Sequence, residues 1–123
     1  MLAVRLLNNG NYEEINGYDQ RKTFDDLHSG ESKKVVNALL SHSFHEDDWK
    51  QVQDICIHHS SDQNSNVRGI AILCFGHLAR IHGELELEHV LPIVKKALND
   101  PSEFVRSHAT SALDDIKFFL DLR

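Results

Sequence analysis

Two stretches of this chain repeat each other 38 residues apart, and no other feature restricts its fold so much. Asp62, Val67, Arg68 and Ala71 recur as Asp100, Val105, Arg106 and Ala109. At the same offset Trp49 meets Leu87, Val52 meets Val90, Ile55 meets Ile93 and Cys56 meets Val94. Further on, Cys74 meets Ala112, Phe75 meets Leu113 and Leu78 meets Ile116, with no insertion. A fixed period of this length marks a stacked array of small units. Each unit buries its apolar side only against its neighbours.

The residues within a unit specify helices. Leu87, Val90, Leu91, Val94 and Leu98 recur at three- and four-residue steps and form one apolar stripe. Asp100-Pro101 ends that stripe, because proline disfavours the α region for the residue before it and suits the start of a new helix. Asp100 or Ser102 can cap the new helix, whose stripe is Val105, Ala109, Ala112, Leu113 and Ile116. The pattern predicts helices at 48–60, 66–82, 87–99 and 102–120, with Gly83 stopping the second in left-handed geometry. Residues 31–42 read as the degenerate second helix of an earlier unit, and Thr23 to His28 as the remnant of its first. Residues 8–19 read as loop, and residues 2–7 suit a helical turn or an extended arm. The expected organisation is one domain: an irregular segment 1–22, a degenerate repeat 23–45, a repeat 46–83, and a repeat with C-terminal cap 84–123.

Asp-Pro, three residues, Val-Arg, two residues, Ala, following an apolar helix, resembles the HEAT repeat. Asp100, Pro101, Val105, Arg106 and Ala109 match it, and Asp62, Val67, Arg68 and Ala71 match it with Gln63 in place of the proline. The resemblance implies an all-α fold, a short right-handed α-solenoid of antiparallel helix pairs. It also implies a structural ladder, in which Asp62, Arg68, Asp100 and Arg106 stitch neighbouring units together. A scaffold of this kind hosts many functions, so its work must be argued from other residues.

Charge and composition narrow the classes. The formal charge is −6, which disfavours general phosphate binding and so direct nucleic-acid binding, and suits a basic protein partner. Cys56 and Cys74 sit in apolar surroundings and read as buried, reduced thiols. No apolar run is long enough for a signal peptide or membrane span. The expectation is a cytoplasmic monomer without membrane contact.

The chemistry-bearing residues do not assemble into a catalytic set. Nine histidines give no Cys-x-x-Cys and no His-Glu-x-x-His, so no metal is expected. HEAT-like iron hydroxylases use His-Glu dipeptides within repeat helices; here His45-Glu46 is the sole pair and precedes a helix. HEAT-like DNA glycosylases use a basic groove, a Trp and an Asp; here Trp49 aligns with the apolar Leu87, and the charge is negative. Isolated glycines form no phosphate loop. Gly69 and Gly76 lie seven apart on one helix face and serve close approach by a partner or a neighbouring helix. No cofactor is expected, and the chain reads as a non-enzyme.

In a HEAT array the second helices of successive units line one broad concave surface. His77, Arg80, Ser107, His108, Ser111, Asp114, Asp115 and Phe118 fall largely off the apolar stripes and form the expected partner-binding set. Phe118 is its anchor candidate. The expected function is a protein-binding module that neutralises a basic partner by occluding its active surface, similar in size, charge and scaffold to bacterial immunity proteins against nuclease toxins. The alternatives are a structural adaptor within a larger assembly, or a HEAT-like lyase or hydroxylase.

Overall fold

The computed structural model describes residues 4–6, 12–14 and 18–121. Six helices carry the fold: α1 (Gln20–Leu27), α2 (Ser32–His45), α3 (Trp49–His59), α4 (Ser65–His82), α5 (Leu87–Ala97) and α6 (Glu103–Phe119). They pair in sequence as α1 with α2, α3 with α4 and α5 with α6, while α2, α4 and α6 pack side by side as a continuous second layer. The chain is thus an all-α helical-repeat protein, with one contiguous core running through its three helix pairs.

Local chemistry sets the helix ends. Asp19, Asp48, Asn64 and Ser102 each accept a bond from a backbone N–H of the first turn, at α1, α3, α4 and α6. Gly83 ends α4 at φ 66°, where a side chain would be strained. Asp100 accepts from the Ser102 N–H at 2.9 Å, and the Ser102 hydroxyl from that of Val105 at 3.4 Å, so both residues shape the turn into α6.

The N-terminal part differs from expectation. Val4–Leu6 (β1) and Tyr12–Glu14 (β2) pair as antiparallel strands, Val4 opposite Glu14 and Leu6 opposite Tyr12. Residues 12–14 are therefore not loop, and the segment 1–22 is not wholly irregular: α1 already begins at Gln20. The rest of the expected loop, residues 8–11 and 15–17, lies outside the described residues. The strands' alternating pattern is only three residues long on each side, too short to register against the helical periodicity that governs the remaining chain. α2 also runs three residues past its expected end, to His45, because Ser43 turns inward and is fully buried.

α4 is the central element. It packs on α2, α3 and α6, and Val67, Ile70, Ala71, Ile72, Cys74, Phe75, Leu78 and Ala79 are all buried. A helix apolar around most of its circumference belongs in an interior. Both cysteines are free and completely buried. A hydrogen bond with Cys74, followed by burial, pushes the Cys56 thiol well above its ordinary pKa, which fits a packing role. Among the described residues no helix is long and apolar enough to cross a membrane.

Candidate protein-binding surface and its supports

The repeat Asp and Arg residues meet at the turns. Arg68 of α4 donates from Nε and Nη2 to both carboxylate oxygens of Asp100, at 2.7 and 2.8 Å, joining the second helix pair to the third. The Asp100 carboxyl is held below its usual range, first by this bond with Arg68. Asp62 behaves differently: its carboxylate caps the Asn64 N–H at 2.8 Å, and only its backbone carbonyl accepts from Arg68. Arg106 donates to the carbonyls of Asp100 and Pro101. The carboxylate ladder thus has a single rung among the described residues. The α1–α2 pair lacks an arginine in α2 that could reach Asp62.

A second tie between units was not visible in the sequence. Gln53 is fully buried although it aligns with the apolar Leu91. Its amide nitrogen donates to Glu86 Oε1 at 2.8 Å, and its amide oxygen accepts from the Glu86 N–H at 2.7 Å, clamping the start of α5 onto α3. Lys50 donates to the same carboxylate oxygen at 2.8 Å. That bond and the one from Gln53 lower the Glu86 pKa. The available signal was an amide standing in an apolar column of the repeat.

The expected partner-binding residues separate into distinct environments. His77 is not on an open face: it is 8% exposed. Phe44 of α2 stacks on its ring at 4.6 Å between centroids, and Ser43 Oγ lies 3.1 Å from its Nδ1. His77 is covered because α2 extends far enough to bring Phe44 over it. Phe44 itself is exposed, and the Arg80 guanidinium lies 6.0 Å from its ring centre, within cation–π reach. Phe44 was missed because the sequence placed residues 43–45 beyond the helix.

On α6, Ser107, Ser111 and Asp114 are exposed, whereas His108 and Asp115 are half-buried. The His108 Nδ1 lies 2.8 Å from the Phe104 carbonyl, and the two rings are 4.1 Å apart. A carbonyl only accepts, so Nδ1 carries the proton and His108 is tied to its own helix. Asp115 lies against Gly76: a Cβ placed there would come within 3.0 Å of its carboxylate and 3.1 Å of the Ala112 Cα. One at Gly69 would meet the Phe104 ring at 2.7 Å. Both glycines therefore serve the close approach of α6 to α4. Phe118 is 78% exposed, with the edge of Phe119 against it at 4.8 Å between centroids. Phe44, Arg80, Ile81 and Phe118 all sit near the C-terminal ends of the three second-layer helices, where large side chains remain in solvent.

Other polar clusters are less suited to chemistry. Glu86, Glu88 and His89 bring three ligand-type atoms within 4.8 Å of one another, but Glu86 already serves Lys50 and Gln53. Tyr18 donates to Glu46 at 3.0 Å and lies 3.3 Å from His42 Nδ1. Burial and Glu46 raise the Tyr18 pKa to about 12, and burial lowers that of His42.

The fold and these inter-unit ties define an all-α helical-repeat protein with exposed aromatic and charged groups on its second layer. Residues 90–120 match the family model of the HEAT repeat. Among solved structures, the chain is similar to a chain in the crystal structure of the CDI complex from Cupriavidus taiwanensis LMG 19424, with 28% sequence identity and a TM-score of 0.73. The likeness covers 89% of this chain and 96% of that one. A search of curated proteins finds no match.

Proposed function

We propose that this chain is a non-catalytic immunity-type protein that binds a toxin and neutralises it by covering its working surface. The observation that carries this reading is the likeness over nearly the whole of both chains to a component of a CDI complex, which we read as a toxin held by its immunity partner. A helical-repeat chain with exposed aromatics at the ends of its second-layer helices fits the protective partner in such a pair better than the toxic one.

The binding surface in this proposal is the second layer near the C-terminal ends of α2, α4 and α6. Phe44, Arg80 and Phe118 are the contact residues, with His108, Ser111 and Asp115 at its margin. Exposed aromatics and arginine are the side chains most enriched at binding centres. His77 supports Phe44 from below and does not touch the partner. The chain charge of −6 would speed the encounter with a basic partner, such as a nuclease-type toxin domain. The chain would act as a cytoplasmic monomer.

The test is co-expression with the protein encoded by the neighbouring reading frame. That protein alone should arrest bacterial growth, and the present chain should relieve the arrest and elute with it as a one-to-one complex. Association should slow as salt is raised. A neighbour that is harmless, or that stays toxic and unbound, would remove the proposal. Phe118→Ala should weaken the complex by about 2 kcal/mol if this aromatic lies at the centre of the interface.

A further inference from the structure

The two repeat arginines are anchored alike and used differently. Arg68 donates from Nη1 to the carbonyls of Asp62 and Gln63, at 2.9 and 3.3 Å. Arg106 donates from Nη1 to the carbonyls of Asp100 and Pro101, at 2.7 and 3.0 Å. These bonds hold each guanidinium to the turn before its own helix. The other edge of Arg68, Nε and Nη2, grips both oxygens of Asp100. The same edge of Arg106 makes no hydrogen bond or ion pair among the described residues, and the side chain is exposed.

A guanidinium fork matches the two oxygens of a carboxylate, and such paired bonds are among the stronger ones available at a protein surface. Holding the fork in advance reduces the freedom lost on binding. Arg106 thus presents the same fork that Arg68 closes on Asp100, with no carboxylate on it among the described residues. Glu103, one turn before it, forms no ion pair with Arg106, and Asp100, which acts on it electrostatically, gives both carboxylate oxygens to Arg68. The Nε–Nη2 edge of Arg106 thus stays open although acids stand beside it.

We propose that Arg106 is a carboxylate-binding site, receiving an Asp or Glu side chain of a protein partner in the two-point geometry that Arg68 gives Asp100. The site lies at the α5–α6 turn, at the opposite end of α6 from Phe118, and it does not depend on the partner being a toxin. It adds a directional contact for an acidic group about three turns of α6 away from Phe118, and two contacts that far apart would set the orientation in which a partner docks.

Acetate is the probe, and the arginine Nε–H resonances of the full-length chain are the readout, with acetate exchanged for chloride at constant ionic strength and pH. The Arg106 signal should move downfield and saturate, several-fold further than that of exposed Arg80. Arg68, already paired, should hardly move. Backbone amide shifts at the α5–α6 turn should saturate with acetate in the wild type and lose that saturation in Arg106→Lys, while the rest of the amide spectrum keeps its helical pattern. An Arg106 signal that drifts linearly together with Arg80, or that saturates with phosphate but not with acetate, would overturn the proposal. Because no partner protein enters this measurement, its failure is separate from any failure of toxin neutralisation.

Discussion

The face that α4 turns towards α6 and the outward face of α6 occupy the same positions of the repeat, 38 residues apart, yet they have opposite character. The inner face consists of Gly69, Ile72, Phe75, Gly76 and Ala79, all buried. The outer face consists of Ser107, Thr110, Leu113, Asp114 and Lys117, of which only Leu113 is partly buried. Helical periodicity is shared; what changes is size and polarity at the contact positions. Glycine at 69 and 76 lets two backbones approach, whereas Ser107 and Asp114 hold a neighbour away. The Thr110 hydroxyl satisfies itself on the Arg106 carbonyl at 3.1 Å, and Lys117 stays in water. One face is made for a helix and the other for solvent and for groups that arrive singly.

Paired substitutions put this contrast at risk. The largest effect is expected from emptying the interface: Phe75→Ala should cost about 4 kcal/mol of unfolding free energy, and Leu113→Ala about 1–2 kcal/mol. Equal losses in denaturant titration would mean that the two faces are not distinct. Next comes overfilling. Gly76→Leu should cost about 3 kcal/mol, because the Ala112 backbone and Asp115 leave no room. Asp114→Leu should stay within about 0.5 kcal/mol, which the same titration would check.

The arginines sharpen the comparison further. Arg68→Ala removes a two-point ion pair that is mostly shielded from solvent and leaves Asp100 without its partner, for a loss of about 2 kcal/mol. Arg106→Ala removes two exposed bonds to carbonyls and should cost less than about 1 kcal/mol. The smallest effect concerns pH. The Asp100 carboxyl is lowered in the folded chain by Arg68, so its contribution is present above the ordinary carboxyl pKa of 3.8. That contribution is lost as pH falls through the lowered folded value. The stability gap between the wild type and Asp100→Asn should therefore narrow by about 1 kcal/mol or less between neutral pH and pH 3. A gap that stays constant would show that Asp100 acts through geometry alone.

The helix pairs were legible because their stripes are long and periodic. The expected helix at 66–82 is α4 at Ser65–His82, and the one at 102–120 is α6 at Glu103–Phe119. The small second-layer residues and the Gly83 stop were legible for the same reason: backbone geometry demands those side chains. The candidate surface was far less so. His77 looked polar and free, but a neighbouring helix covers it, and Phe44 fell just past the expected end of its helix. Gln53 drew no reading from the sequence, because its two partners on Glu86 lie 33 residues away. Each miss involves a contact from another element, which periodicity within one helix does not encode.

The sequence alone determined that this chain builds helices, where the four helices of the two clear repeats lie to within two residues at each end, and that they repeat at a constant step, since capping, proline and apolar spacing act over a few neighbouring residues. The tertiary structure decided which polar groups became internal ties and which stayed in solvent. Arg68 and Arg106 carry the same local motif, and only the arrival of Asp100 from the next helix pair makes one a rung and leaves the other open. A side chain's environment is set by what packs over it, and that is settled between units rather than within them.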